Sequence, residues 1–314
     1  MLKIIKLLFV IIQFLLLSSC SDTGNQQTLR VGTNIWPGYE PLYLAREQGY
    51  FDKKQIHLVE YTSASQVIKA YKNGLLDAAA VTLDEAISLL ASGEKLKIVL
   101  VMDISNGADA LISQPSLKKI TDLKGMRIGV EHTALGAYFI NRVIDITGID
   151  KNEITVVPLK VNQHERAFMQ KKVDAVLTFE PVRTKLLSTG ANILFDSSQI
   201  PGEIVDVLVV NEQHLAAFSG NIHQLKLGWF KALGDISRMT PTTIKLLGAR
   251  MQLSTQDVLL AYEGLILPDE EMNEHMLHEK VNPGLLKSSQ RLGKVMLDNG
   301  LIGSPVDTTK LFLN

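Results

Sequence analysis

Polar and aromatic residues come directly after several of the apolar runs in this sequence. In open α/β sheets a ligand binds beyond the carboxyl ends of the strands, where such side chains would lie. An aromatic face gives a flat ligand a large apolar contact, while hydroxyl and carboxylate groups form the hydrogen bonds that orient it. These groups indicate binding rather than catalysis. The candidate ligand-binding residues are Trp36, Tyr39, Ser63, Ser65, Thr82, Asp84, Glu131, Thr133, Glu180 and Asp206.

Two of these carboxylates, Glu131 and Glu180, predict the charge of the ligand. Each follows an apolar run in the second half of the chain and should face a cleft, and the loops that hold the candidates contain no Lys or Arg. The nearest basic residue, Arg183, should be turned away by one turn of helix. Burying an unpaired carboxylate costs on the order of several kcal/mol, so we expect a ligand with a cationic or N–H donor group. A carboxylate that points to solvent or caps a helix is the open alternative.

Several candidates also have a purely structural interpretation. The rings of Trp36 and Tyr39 could pack against a neighbouring helix, and Ser65 could cap a helix while it also binds ligand. A hinge or structural role is as compatible with the sequence as ligand contact for four aspartates, Asp84, Asp103, Asp109 and Asp206.

The sequence lacks the common motifs of metal binding and catalysis. His275 and His278 lie three residues apart, but no HExxH motif or third ligand accompanies them, so they are typical of a solvated helix face. No nucleophile elbow, P-loop or dinucleotide-binding glycine motif is present. With Cys20 as the single cysteine, an internal disulfide and a cysteine-based zinc site are both impossible. We therefore expect neither a metal nor a cofactor.

The N-terminus predicts export and lipid attachment. A basic start precedes the apolar block Leu7–Leu17, which is too short to span a bilayer. The block ends in LSSC, which resembles a bacterial lipobox. We expect a signal peptide over 1–19, a lipid on Cys20 and a polar tether over 20–28, with a non-lipidated export signal as the alternative.

The pattern of the remaining residues predicts an α/β protein. Its 314 residues carry 32 Lys+Arg and 33 Asp+Glu, and this near-neutral charge offers no basic surface for nucleic acid. Ten predicted strands lie between Leu29 and Val210, and helical patterns separate many of them. Five further helices are predicted after Asn211. Strands that alternate with helices of this length predict mostly parallel sheets.

Two segments of the chain repeat each other. Asp77–Gly93 reads DAAAVTLDEAISLLASG, and Asp174–Gly190, 97 residues later, reads DAVLTFEPVRTKLLSTG. Each predicts a buried strand followed by a helix that ends at glycine. The repeat predicts two lobes of similar topology. The alternative is the general likeness of any two strand–helix units.

Four segments in order carry a family resemblance. They are GTNIWPGYEPLYLAREQGYF at Gly32–Phe51, then NGLLDAAAVTLDEA, DLKGMRIGVEHTALGAYF and VDAVLTFEPV. Together with LPDEEMN at Leu267–Asn273, their order and spacing resemble the bacterial solute-binding proteins of the nitrate, sulfonate, taurine and thiamine-precursor family. Proteins of this family feed ABC importers. The resemblance runs from Leu29 to the C-terminus.

The resemblance implies the type II periplasmic-binding-protein fold, in which two α/β lobes close over a ligand held in a cleft. It implies two crossings between the lobes, near Ser105–Gly107 and near Val207–Asn211. The first lobe would then cover 29–106 and the second 107–208. Residues 209–314 would return to the first lobe and form a helical tail packed on it.

The expected function is therefore that of a monomeric, lipid-anchored binding protein on the periplasmic side of a bacterial membrane. It would capture a small polar ligand that contains nitrogen and deliver it to an ABC permease and ATPase. Its contact with the membrane would be through the lipid alone. Two alternatives use the same fold, namely a ligand-sensing component of a membrane signalling receptor and an enzyme of the pyrimidine-precursor or menaquinone-pathway type. The export signal argues against the menaquinone type, and the single cysteine argues against the iron-binding pyrimidine type.

Overall fold

The computed structural model describes residues 27–278 and 284–313. The predicted signal peptide over 1–19, the predicted lipidation site Cys20 and most of the predicted tether over 20–28 lie outside the described residues. The structure therefore concerns the part of the chain that was predicted to bind the ligand.

All ten predicted strands are confirmed, each within three residues of its expected ends. One further strand, β11, has only two residues and is too short to show an alternating pattern. The strands are β1 (Leu29–Asn34), β2 (Ile56–Tyr61), β3 (Ala78–Thr82), β4 (Leu96–Ser105), β5 (Asp109–Ser113), β6 (Arg127–Val130), β7 (Thr155–Pro158), β8 (Ala175–Phe179), β9 (Asn192–Asp196), β10 (Val205–Asn211) and β11 (Leu265–Ile266).

The eleven predicted α-helices are also present. They are α1 (Glu40–Glu47), α2 (Ala64–Lys72), α3 (Leu83–Ala91), α4 (Ala134–Thr147), α5 (Val161–Met169), α6 (Val182–Leu187), α7 (Ser219–Arg238), α8 (Pro241–Met251), α9 (Thr255–Glu263), α10 (Glu270–His278) and α11 (Leu285–Asp298). Helix α4 shows how local sequence sets such bounds. The Thr133 hydroxyl accepts a hydrogen bond from the Gly136 amide at 3.2 Å, and the helix ends at Gly148 with a φ of 70°.

Two sheets define two lobes. The first sheet has the order β11-β4-β10-β3-β1-β2, and the second has the order β7-β6-β8-β5-β9. The prediction of mostly parallel sheets is wrong, because only the pairs β1–β2, β1–β3, β6–β7 and β6–β8 are parallel. Strands β10 and β5 each run opposite to both neighbours. Each enters its sheet from the other lobe, so it begins at the cleft where its parallel neighbours end.

The lobes are joined by two crossings that lie side by side. The first leaves β4 at Ser105, as predicted, and the second follows Ser197. The hydroxyl groups of these serines are 2.8 Å apart, and the Gly107 amide donates to Ser197 Oγ at 2.6 Å. Gly107 has a φ of 117°, which L side chains rarely adopt. The hydrogen bonds tie the crossings into one hinge.

The predicted position of the second crossing, Val207–Asn211, is wrong. Val205–Asn211 is strand β10, which pairs with β3 and β4 inside the first sheet. The chain has therefore returned to the first lobe before Val205, rather than after residue 208.

The predicted repeat is confirmed, because both lobes contain the same arginine–aspartate arrangement. In the first lobe, Asp77 Oδ2 accepts hydrogen bonds from the amide and Nε of Arg30, at 2.9 and 2.8 Å. In the second lobe, Asp174 Oδ2 accepts from the same two atoms of Arg127, both at 2.9 Å. The two pairs are 97 residues apart, so the offset of the sequence repeat extends to the strands that precede it.

The tail packs on the first lobe, as predicted. Trp229 of α7 is fully buried in the core that includes α1. Asn273, the last residue of the LPDEEMN segment, accepts from the Val101 amide at 2.8 Å and donates to the Val101 carbonyl at 3.0 Å. Its side chain thereby fixes α10 to strand β4. Among the described residues, no helix has the length and apolar character needed to cross a bilayer.

Candidate functional site

A small cavity lies in the cleft between the two lobes. Its volume is about 20 Å³, which is room for about one water molecule. Residues from both lobes form its walls, so it is complete only when the lobes are closed. The first lobe contributes Asn34, Trp36, Tyr39, Ala64, Thr82, Glu85 and Asp206, and the second lobe contributes Asp109, Leu135 and Phe179.

Strand register places three polar residues in a row across the first sheet. Asp206 on β10 lies opposite Thr82 on one neighbouring strand and opposite Asp103 on the other. The carboxyl groups of Asp103 and Asp206 are both fully buried, and burial raises the pKa of each, with the neighbouring carboxylate of Asp103 raising that of Asp206 further. Two adjacent carboxylates repel each other strongly, so the pair favours a singly protonated state.

The aromatic residues Trp36 and Tyr39 hold this carboxyl pair in place. The indole Nε1 of Trp36 donates to Asp103 Oδ2 at 3.0 Å, and the hydroxyl of Tyr39 donates to Asp206 Oδ1. A Cβ atom on Gly38 would lie 1.9 Å from Asp103 Oδ2, so only glycine permits this close approach. The WPGY segment therefore positions the acidic groups as well as lining the cavity.

Five carboxyl groups are buried at the cavity or directly behind it, and none of the described residues that line the cavity is a Lys or Arg. Burial raises the pKa of each, because desolvation penalises the charged form. The pKa of Asp109 rises to about 7, and that of Glu85 rises to about 8 with a further contribution from nearby Asp84. The five groups are Asp84, Glu85, Asp103, Asp109 and Asp206.

Aromatic rings complete the cavity. Phe179, at the end of β8 in the second lobe, meets Trp36 of the first lobe edge to face, with ring centroids 5.6 Å apart. Carboxylates beside aromatic faces form an environment that attracts cations and N–H donors. No group of three or more His, Cys, Asp or Glu residues in the described ranges is arranged to hold a metal ion.

Glu131 connects the lobes instead of lining the cavity. Its Oε1 atom accepts hydrogen bonds from the amide and the hydroxyl of Ser65, at 3.1 and 2.8 Å. Glu131 belongs to the second lobe and Ser65 lies in the first turn of α2 in the first lobe, where the helix dipole favours a negative charge. Nearby, Asn162 donates to the Thr62 hydroxyl at 3.1 Å. These hydrogen bonds stabilise the closed arrangement.

Glu180 caps a helix, which is the alternative to its predicted place in the cleft. Its Oε1 accepts from Arg183 and from the Thr184 hydroxyl, both at 2.9 Å, and its Oε2 accepts from the Thr184 amide at 3.1 Å. The expectation that Arg183 turns away is wrong, since its guanidinium pairs with this carboxylate. Glu180 is therefore fully satisfied within its own lobe.

Four of the ten predicted residues line the cavity, namely Trp36, Tyr39, Thr82 and Asp206. Asp84 is buried behind it, the Ser63 hydroxyl lies 3.1 Å from that of Ser65, and Thr133 caps α4. Glu85, which forms a capping pattern with Thr82, and Phe179, which ends a strand, also line the cavity; both lie at strand ends in the sequence but are not among the ten candidates. The sequence leaves the role of Asp109 open.

We predict that the buried carboxyl groups make the free protein less stable as the pH rises. Their folded-state pKa values exceed those in the unfolded chain, so the folded protein holds protons that the unfolded chain has released. The free energy of unfolding should therefore fall from about pH 4 to about pH 8, by up to about 1.4 kcal/mol per pH unit and group. Thermal unfolding between pH 6.5 and 8.5 measures this slope.

Asp109→Asn and Asp206→Asn should each flatten that slope, whereas Glu263→Gln, at an exposed position on α9, should leave it unchanged. The chosen range avoids His164, whose pKa burial lowers to about 4 and which therefore costs stability only below its ordinary range. An unchanged slope in both aspartate variants would show that these groups are ionised in the folded protein.

We predict that Glu131→Ala shifts the protein toward an open form, because it removes both hydrogen bonds to Ser65. A hydrogen bond to a charged group contributes about 1.5–3 kcal/mol, so the ratio of closed to open molecules should fall at least tenfold. Cys20 is the only cysteine, so the chain from Asp22 can be spin-labelled selectively through Lys53→Cys and Lys151→Cys. Glu131→Gln keeps an acceptor oxygen and should retain most of the closed form. Identical distance distributions in all three proteins would refute this role.

Comparison with known proteins identifies relatives by sequence. A candidate binding protein of Brucella abortus strain 2308 is 27% identical over 158 residues, which are 49% of this chain and 48% of the relative. The chain thus spans about half the length of the curated relatives that it matches. Equivalent matches occur in Brucella suis and Brucella melitensis.

Solved structures share the fold over nearly the whole chain. The alkanesulfonate-binding protein SsuA from Xanthomonas axonopodis pv. citri, bound to MOPS, has a TM-score of 0.76 at 18% identity and covers 91% of this chain and 98% of its own. The desulfurization enzyme DSZB has a TM-score of 0.63 at 16% identity, with 90% and 96% covered. The chain therefore has the type II periplasmic-binding-protein fold, as predicted, and most of these neighbours are binding proteins. The NMT1-like family model matches residues 22–233, more than half of the chain, and the chain belongs to the NMT1-like family.

Proposed function

We propose that this protein is an extracytoplasmic solute-binding lipoprotein that captures a small cationic or N–H-donating ligand and delivers it to an ABC importer. The ligand enters the cleft when the lobes are apart and is enclosed when they close. It favours closure by its higher affinity for the closed form. In this proposal the permease and ATPase recognise the closed protein, which acts as a monomer and catalyses no reaction.

The observation that carries the proposal is the charge of the cavity. Glu85, Asp109 and Asp206 line it, Asp84 and Asp103 lie behind it, and in the part of the chain that the structure describes no cationic side chain lines it. A cationic ligand would replace the protons that now neutralise these groups. Glu131 and Glu180 do not contribute to this acidic cavity, since Glu131 bonds the opposite lobe and Glu180 caps a helix.

The acidic cavity argues against an anionic ligand such as that of a structural neighbour. The Xanthomonas protein binds alkanesulfonates, which are anions. An anion in this poorly hydrated cleft would repel the ionised forms of these three carboxyl groups and could bind only while all of them stay protonated. The shared fold is therefore compatible with a ligand of opposite charge.

A ligand screen by thermal shift tests the proposal. The chain from Asp22 would be heated with nitrate, taurine, an alkanesulfonate, riboflavin, an aminopyrimidine and a polyamine. A ligand at 100 times its Kd adds about 2.7 kcal/mol, which raises the melting temperature of a protein of this size by several degrees. We expect the aminopyrimidine or the polyamine to stabilise the protein.

Asp206→Asn should reduce the shift caused by the cationic ligand, and Glu263→Gln should not. The comparison uses the shift relative to each variant's own free form, because Asp206→Asn also changes the stability of that form. Stabilisation by nitrate or a sulfonate alone would contradict the cationic ligand while leaving the fold and family unaffected.

We predict that Cys20→Ser releases the protein from the membrane. Without the thiol no lipid can be attached, so the protein should move from the membrane fraction to the soluble periplasmic fraction of the cell. Labelling with a radioactive fatty acid should mark the wild type only. A wild-type protein found in the soluble fraction without label would exclude the lipid anchor. Neighbouring permease and ATPase genes would support transport, whereas a neighbouring kinase or cyclase gene would favour the sensing alternative.

A further inference from the structure

A second, larger cavity adjoins the small one on the side of helices α2 and α3. Its volume is about 310 Å³, against about 20 Å³ for the inner cavity. The inner cavity has room for a single small group, so most of a larger ligand would have to lie outside it. The outer cavity is lined by Ser65, Ile68, Lys72, Glu85, Ser88, Leu89, Ser92 and Leu301 of the first lobe and by His132, Thr133, Ala134 and Ala137 of the second.

Glu85 is the residue that belongs to both cavities. Its side chain is 2% exposed, and its Oε2 atom accepts a hydrogen bond from the Thr82 amide at 3.1 Å. Its Oε1 atom is buried and has no hydrogen-bond partner among the described residues. Thr133 approaches from the second lobe and favours the ionised form of Glu85, but forms no hydrogen bond with Oε1.

An unsatisfied buried carboxylate oxygen is costly, and a donor supplied by a ligand would remove that cost. Glu85 Oε1 therefore marks a second acceptor position, separate from the Asp103–Asp206 pair that faces Trp36 and Tyr39. The outer cavity offers hydroxyl groups from both lobes, including Ser88 and Thr133, which suits a polar chain. Because both lobes form its walls, closure would enclose this part of the ligand as well.

Building on the proposed function, we propose that the ligand carries two separate N–H donor groups. One lies in the inner cavity beside Asp206, the second binds Glu85 Oε1, and the remainder of the molecule extends into the outer cavity. The ligand class is an extended diamine or a longer polyamine, rather than a compact monoamine. Glu85 is then the residue that selects ligands by length and by their second donor.

Isothermal titration with two probes of equal chain length tests this inference. Butylamine and 1,4-diaminobutane differ only in the second amino group. The wild type should bind the diamine at least tenfold more tightly. Glu85→Gln should weaken diamine binding at least tenfold and butylamine binding less than threefold. Glutamine retains an oxygen for the Thr82 amide, so the start of α3 should be preserved, which circular dichroism would verify.

Asp84→Asn is the matched control for the general effect of charge, because Asp84 is buried next to Glu85 but lines neither cavity. It should weaken both amines to a similar extent. Equal affinity of the wild type for both probes, or equal losses for both in Glu85→Gln, would overturn the two-donor inference while the cationic ligand of the proposed function stands. Failure of the wild type to bind either amine would likewise overturn the two-donor inference, whereas only a thermal-shift response to nitrate or a sulfonate alone would contradict the proposed function.

Discussion

The burial of several carboxyl groups around a cavity that none of the described Lys or Arg side chains lines is the constraint on which this site depends. Water is largely excluded from the closed cleft, so the charged forms of Asp103, Asp109 and Asp206 are costly there. In the free protein this cost is reduced by protonation of the carboxyl groups and by hydrogen bonds donated by Trp36 and Tyr39. The positive charge of a cationic ligand would offset the same desolvation cost. The same feature thus links the pH dependence of stability to the choice of ligand.

Closure of the two lobes buries the carboxyl groups, and separation of the lobes exposes them to water again. When the lobes separate, the cavity loses the wall that holds Asp109 and Phe179, and water can reach the carboxyl groups. Closure desolvates them, so it should be most favourable when a ligand is present. The hydrogen bonds of Glu131 to Ser65 add a contribution to closure that does not depend on the ligand. The balance between these two terms sets how far the free protein is closed.

Family membership and ligand chemistry are separate properties in this fold. The backbone arrangement is shared with an alkanesulfonate-binding protein at 18% identity, and it is also shared with a desulfurization enzyme. The residues that face the cleft determine which molecule is bound. Here they are acidic and aromatic, and their hydrogen-bond needs fit a molecule with N–H groups.

The sequence by itself determined the elements of this protein, because helices and strands follow from local apolar periodicity and from caps such as Thr133 and Gly148. The sequence also indicated two lobes, because two of its segments repeat each other. The Arg30–Asp77 and Arg127–Asp174 pairs are separated by the same offset as these segments, so the repeat extends to β1 and β6. The positions that face the cleft are harder to read from the sequence, because not only the residues that follow strands face it. Strands β5 and β10 enter their sheets in the reverse direction, so their first residues, including Asp109, face it instead. Only the tertiary structure decided this, because strand direction and the pairing of Asp103 with Asp206 depend on contacts between segments about a hundred residues apart, which no local pattern encodes.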